Sequence, residues 1–408
     1  MNYRREPSIR LLFCSLSMPL LLLGCRPVPQ ATSPQQAAVV SASKDTKTPQ
    51  QFRLVWRAPE PQVSGGQLTR PEISGELLLP AALPGETWPV AWDDQIETLF
   101  KQLEERRPQA VRFIRRSEGW VAQAQTGWQV DREATRVALQ AAVKEGRHSA
   151  EVVLKLTAPD GSARWAQAQG LTHLATGETT FTGSPEFRVH NIVTGAGRLD
   201  QVWLAPGQTF NFNRLIGPIN ARTGFKPGYV ISGGSLATED GGGICQVSTT
   251  AFRAALNAGL PITERHAHSH QVAYYGEPGL DAAVYAPSKN LRFFNDTGGP
   301  LLVQTEWDNK AERLQIHLFG RHGGRQVKVG QPQQSRVRPA GEPQFLADPA
   351  LPSGTVQRID MPAPGASVSV TREIRDEQGR VRRETFRSSY RPWGGAFAVA
   401  PDDARSKK

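Results

Sequence analysis

The stretch Gly241-Gly242-Gly243-Ile244-Cys245-Gln246-Val247-Ser248-Thr249-Thr250 decides how the chain reads. Its glycines permit positive φ and close approach of the backbone to a ligand, because no Cβ stands in the way. The residues after the glycines have helical spacing. Val247, Ala251, Ala254, Ala255 and Ala258 recur with the helical period, and Gly259 with Pro261 supplies a stop. Cys245 therefore falls at or just before a helix N-terminus, where unpaired N–H groups and the helix dipole favour a thiolate over a thiol. Further on, Arg265-His266-Ala267-His268-Ser269-His270 offers a base. This pattern fits a nucleophile platform. It equally fits a buried Cys beside a tight turn, with histidines that only pack or cap.

The 408 residues give room for two or three domains, each with its own core. A hydrophobic share of 38% suits a soluble globular chain, and 38 Gly with 31 Pro predict many turns and β structure. The formal charge of +10 is scattered rather than run together. No helix-turn-helix, RRM or zinc-finger spacing appears, so nucleic acid is not an expected partner.

Arg4, Arg5 and Arg10 precede an apolar run from Leu11 to Leu23 that is too short for a stable membrane span. The run ends in Leu22-Leu23-Gly24-Cys25, which resembles the lipobox of bacterial lipoproteins. The resemblance implies a signal peptide over 1–24, cleaved before a lipidated Cys25. The protein would then be exported and held on the membrane by that anchor, facing the cell wall or periplasm. Residues 25–50, rich in Pro, Gln, Ser and Ala, read as a disordered tether. With Cys14 removed and Cys25 acylated, Cys245 is the only thiol left, and an internal disulfide is excluded.

The expected fold class is multi-domain α+β: a small α+β module, a central mixed α+β domain with a β-rich core, and a small β appendage. In 51–185, Ile96, Leu99, Phe100 and Leu103 mark an amphipathic helix capped by Asp93-Asp94. A hairpin comes next through Val111–Ile114 and Trp120–Ala122, then a second helix over Arg132–Lys144 and a strand through Val152, Leu154 and Leu156. Gly127-Trp128 with Val130-Asp131, the second helix and its strand resemble a peptidoglycan-binding module found before L,D-transpeptidase and VanW domains. In 190–322 come Phe210-Asn211-Phe212-Asn213, Gly217-Pro218, the cysteine stretch, Glu264-Arg265, His268-Ser269, Gly279-Leu280-Asp281-Ala282 and Leu291-Arg292-Phe293. In that order and spacing these motifs resemble the VanW family. The chain departs from the family pattern at Lys289-Asn290, where an Asp is usual, and at Ala283, where a Thr is usual. The resemblance implies a domain and leaves the reaction open. Residues 323–408 read as a Pro/Gln/Arg-rich linker and a hairpin about Asp376–Gly379, with no chemistry expected of them.

The site admits three readings. In the first, Cys245 attacks a carbonyl, His268 takes its proton, Asp281 orients His268, and Gln246 with the turn N–H groups holds the oxyanion. The L,D-transpeptidases pair Cys with His in similar domain company, which points to peptidoglycan or its stem peptides as partner. Gly241, Gly242, Gly243, Ser248, Thr249, Asn213 and Tyr229 are the expected binding residues. Arg265 either clamps a substrate carboxylate or makes a structural ion pair with Glu264 or Glu239. In the second reading His266, His268 and His270 project from one face of a strand and join Cys245 around zinc. Only His268 falls on the family motif, so neither metal nor cofactor is expected. In the third, the domain binds wall material or glycopeptide without catalysis, in a pocket lined by Phe210, Phe212, Tyr229, Tyr274 and Tyr275. Whether the chain is an enzyme stays open at this point.

Overall fold

The strand Phe52–Pro59 buries Phe52, Leu54 and Ala58 on one face, the period of two that a half-buried strand requires. It belongs to a computed structural model that describes residues 51–65, 67–82, 86, 88–158, 162–232, 235–272, 275–349 and 351–407, with backbone alone at 229–232, 235–238 and 407. The lipobox, Cys25 and the tether lie outside the described residues. Phe52–Pro59 pairs antiparallel with Glu72–Leu79 and parallel with Ser149–Glu151. The two expected helices, Asp93–Leu103 and Arg132–Lys144, lay Ile96, Leu99, Phe100, Leu139 and Ala142 into the core beside this sheet. Asp131 caps the second, its carboxylate accepting the Ala134 N–H at 3.0 Å. Asp93 and Asp94 do not cap the first; they sit within its first turn, where Asp93 accepts the Trp88 indole N–H instead.

The hairpin Gln109–Arg116/Gly119–Gln125 forms as expected but leans on the next domain. Phe113 stacks on Phe319 at 3.9 Å, and its backbone N–H and C=O both pair with the Gln304 amide. Arg112 reaches Asp200 at 2.7 Å. One strand also pairs across the expected boundary at 185. Leu171–Thr180, read as part of the N-terminal module, is the edge strand of the central sheet. That antiparallel sheet runs in the order Leu171–Thr180, Arg313–Arg321, Leu301–Asp308, Val202–Leu204.

Ile244–Asn257, the cysteine helix, packs on this sheet. Val247, Ala251, Ala254 and Ala255 share a core with Ile192, Ala196 and Leu199 of the helix Glu186–Leu199 and with Leu314, Ile316 and Leu318. The approach is close enough to dictate a residue. A Cβ on Gly177 would lie 2.1 Å from the Thr250 carbonyl oxygen and 2.5 Å from the Ala254 nitrogen. A second sheet, Thr209–Asn211, Arg292–Phe294 and Ile262–Glu264, brings the histidine run to the N-terminal end of the helix. Phe210 and Phe212 are fully buried in the core, so they line no pocket.

Gln326–Val329 and Gln333–Arg338, read as linker, are strands. They share one edge of Gly365–Arg375, whose other edge carries Val381–Tyr390. Arg372 of that sheet has no exposed surface and donates to the carbonyls of Ala255 and Leu256 in the last turn of the cysteine helix and of Leu260 just past its end. Residues 49–408 therefore form one compact unit.

Candidate active site

Gly243 caps the cysteine helix with φ of +113°. A side chain there would be strained, and its Cβ would lie 3.0 Å from Ile192 and 3.1 Å from the Arg188 carbonyl oxygen. Cys245 is the second helical residue. The N–H groups of Ile244 and Gln246 turn back to the carbonyls of Gly241 and Gly243. That of Cys245 has no acceptor among the described residues, as the first turn of a helix leaves it.

Polar residues on the buried face of the helix then bring a second segment alongside. Ser248 donates its hydroxyl to the Ala282 carbonyl, and Thr249 accepts the Ala282 N–H at 3.0 Å. The thiol in consequence lies 3.5 Å from both the N and the O of Val284. The same segment carries Asp281. Ala283 donates to the His266 carbonyl at 2.8 Å, which aligns the histidine run beside it. Asp281 Oδ2 accepts both the backbone N–H of His268 at 2.8 Å and its Nδ1 at 2.6 Å. The remaining ring nitrogen of His268 is left to hydrogen-bond Cys245.

The electrostatics follow from these contacts. Burial would raise the Cys245 thiol, but the His268 hydrogen bond and charge outweigh it and lower the thiol below its ordinary value. Burial would likewise lower His268. The hydrogen bonds to Asp281 and Cys245 overcome this and push the imidazole up to about 9. Burial works against the Asp281 carboxylate too, yet His268, Arg265 and Tyr390 hold it well below the usual range. All three shifts favour a thiolate facing an imidazolium.

Residues 187–319 match the family described as VanW like protein. This stretch is a VanW-like domain. Part of the chain is 37% identical over 141 residues to the Uncharacterized protein YoaR of Bacillus subtilis (strain 168), covering 33% of this chain and 46% of that protein. It is 34% identical over 118 residues to the Vancomycin B-type resistance protein VanW of Enterococcus faecalis (strain ATCC 700802 / V583), covering 28% and 42%. The chain thus spans less than half the length of the curated relatives it matches.

The VanW-like domain contains Cys245, His268 and Asp281 and brings them together. Other candidates serve the scaffold. Gln246 is fully buried and its amide is spent: it accepts from Arg188 at 2.7 Å and donates to Thr179 and the Thr180 carbonyl. The expectation that it holds an oxyanion is corrected accordingly, and the free Cys245 N–H is the donor at hand. Arg265 pairs with neither Glu264 nor Glu239. It is buried against Asp281 Oδ1 at 2.9 Å, with Ser388 on its other arm, and is not available to a substrate. Asn213 donates its side-chain amide to the Lys289 carbonyl and its backbone N–H to Asn290 Oδ1. Asn290 also accepts the Leu291 N–H and donates to Asn211. Tyr275 is buried with its ring 5.4 Å from that of His268. The Tyr229 side chain and Tyr274 lie outside the described residues.

The three alternating histidines do not share a face, because the strand ends at Glu264 and His266 makes only an isolated bridge to Ala283. His266 pairs with Glu264, His268 with Asp281, and His270 with the Arg391 carbonyl and the Trp393 ring. Among the described residues no three His, Cys, Asp or Glu side chains converge as a metal would require.

The appendage, from which no chemistry was expected, contributes two residues. Tyr390 donates its hydroxyl to Asp281 Oδ1, and Ser388 accepts from Arg265 at 2.9 Å. Both lie outside the VanW-like domain. The only sequence signal was the inward alternation Phe386, Ser388, Tyr390, which places them on a face without naming what that face meets.

Proposed function

We propose that the VanW-like domain is a cysteine acyl-transfer or hydrolase site acting on peptidoglycan stem peptides in the cell envelope. The observation that carries this reading is the Cys245–His268–Asp281 relay at a helix N-terminus. In the reaction, the Cys245 thiolate adds to an amide carbonyl carbon, and the electron pair moves to oxygen. The Cys245 N–H and the helix N-terminus receive that oxyanion. The His268 imidazolium gives its proton to the leaving amine as the C–N bond breaks, leaving a thioester. Neutral His268 then takes a proton from water or an acceptor amine, which attacks the thioester and releases the thiolate. Asp281 holds the ring through Nδ1 throughout.

The substrate class rests on domain company and on one relative's name, which ties that protein to vancomycin resistance. The resemblance of residues 22–25 to a lipobox and of 51–185 to a wall-binding module supports a location in the envelope. Wild type and Cys245→Ala incubated with purified peptidoglycan give the test. Stem peptides of changed mass are expected with wild type alone. Fragments that are bound but unaltered would replace catalysis by binding. For location, Cys25→Ala is expected to free the protein from membranes; unchanged retention and N-terminal mass would remove the anchor.

A further inference from the structure

Tyr390 stands on the inward face of its strand, 109 residues after Asp281 in sequence, and is 2% exposed. Its hydroxyl donates to Asp281 Oδ1 and accepts the Gly279 N–H at 2.8 Å, so its torsion is fixed at both ends. Asp281 therefore has four donors. On Oδ1 are the Tyr390 hydroxyl and Arg265 Nη2; on Oδ2 are the N–H and Nδ1 of His268. A carboxylate shares its charge between two oxygens. Every donor on Oδ1 draws density from Oδ2 and weakens its hold on the imidazole proton.

We infer that Tyr390 is a positioning residue whose hydroxyl sets how firmly Asp281 holds the His268 proton, and hence the pH up to which the Cys245 thiolate faces an imidazolium. Arg265 is a poor candidate for this trimming role, since removing it leaves a buried carboxylate short of its counter-charge. Tyr390 is neutral and stays so: burial and the adjacent Asp281 push it well above the ordinary phenol range, which keeps it a donor at every working pH. The inference rests on the proposed relay. Its test reads ionisation rather than turnover, so a protein without wall chemistry would sink that proposal and leave this one standing.

The experiment uses the folded chain with isotope-labelled histidine, and follows the His268 ring by NMR against pH together with the rate of Cys245 alkylation by iodoacetamide. In wild type the His268 midpoint is expected at about 9. Tyr390→Phe returns density to Oδ2, so the His268 midpoint should move up by about half to one pH unit, a roughly three- to tenfold lower proton concentration at half-titration, and the thiolate–imidazolium pair should persist to higher pH. Placing 3-fluorotyrosine at position 390, a near-isosteric and stronger donor, should move both in the opposite direction. If Tyr390→Phe does not fold, the fluorinated protein decides alone. A midpoint that stays put, or that moves the same way in both proteins, would reduce Tyr390 to a packing residue and overturn the inference.

Discussion

At Cys245 two influences oppose each other. Burial favours the neutral thiol, while the hydrogen bond and charge of His268 favour the thiolate and prevail. Iodoacetamide should therefore alkylate wild type well below the roughly 8.5 of an ordinary thiol, and His268→Ala should move the half-maximal pH up toward that value. Alkylation that begins only at alkaline pH in wild type would discard the ion pair. Asp281 carries the complementary expectation for stability. Its folded-state value is depressed below 3.8, so its contribution is present above 3.8 and is lost as pH falls through the lower folded value. Asp281→Asn leaves Arg265 buried without its counter-charge and should cost about 3–5 kcal/mol at neutral pH, a gap that narrows only under strong acid. His268 behaves oppositely. Its raised value makes its contribution complete below 6.5 and lost as pH climbs through about 9. Urea unfolding of both proteins from pH 3 to pH 10 tests both signs. Cys245 and His268 were legible because the turn, the helix start and the His-Ser pair are each local. The Asp281–Tyr390 contact was not, since nothing in the spacing of two segments so far apart aligns their side chains.

The cysteine helix shows what periodicity conveys and what it omits. Its apolar stripe appeared in the spacing of Val247, Ala251, Ala254 and Ala255, all buried as that spacing requires. Ser248 and Thr249 looked like candidates for a ligand, yet they and the neighbouring Thr250 are fully buried. Their partners are the backbone of Ala282 and the Thr179 hydroxyl. Sequence separation hides such bonds, because a hydroxyl that meets a distant carbonyl leaves no periodic trace. Thr249→Ala should cost about 1–3 kcal/mol by leaving the Ala282 N–H buried and unpaired. Glycines sharpen the argument. Gly177→Ala drives a Cβ into helix backbone that cannot rotate away, and a loss of about 3 kcal/mol or more is expected. Gly197→Ala, on the exposed side of the helix Glu186–Leu199 with nothing within 4 Å, should instead stabilise by up to about 1 kcal/mol. Denaturant titration of the two variants checks this, and equal effects would refute the close approach.

For the molecule as a whole, the alternating residues of the appendage revealed a hairpin but not its attachment to the helix and to Asp281. Arg372 reaches both the Glu384 carboxylate and three carbonyls at the end of the cysteine helix, where a cation also suits the helix dipole. Arg372→Met should therefore cost about 1–3 kcal/mol, since the buried carbonyls lose their donor while Glu384 keeps Arg382 at 3.2 Å. A chain ending at residue 322 removes that cap together with Tyr390 and Ser388. It is expected to unfold at lower denaturant, and its thiol should return toward ordinary reactivity. A truncated chain as stable as the full one, with an unchanged alkylation profile, would show the appendage to be dispensable.

The hydroxyl that Tyr390 lends to Asp281 also imposes a timetable. A ribosome adding about 5–20 residues per second needs on the order of 5–20 s to travel the 109 residues from Asp281 to Tyr390. Throughout that interval Cys245 is already made, but the groups that tune it have no complete frame. A thiol not yet held beside His268 is expected to ionise as an ordinary cysteine does, so the reactivity belongs to the fold and not to the residue. Tyr390, the last donor of the site to be made, then trims a relay whose three members were synthesised well before it.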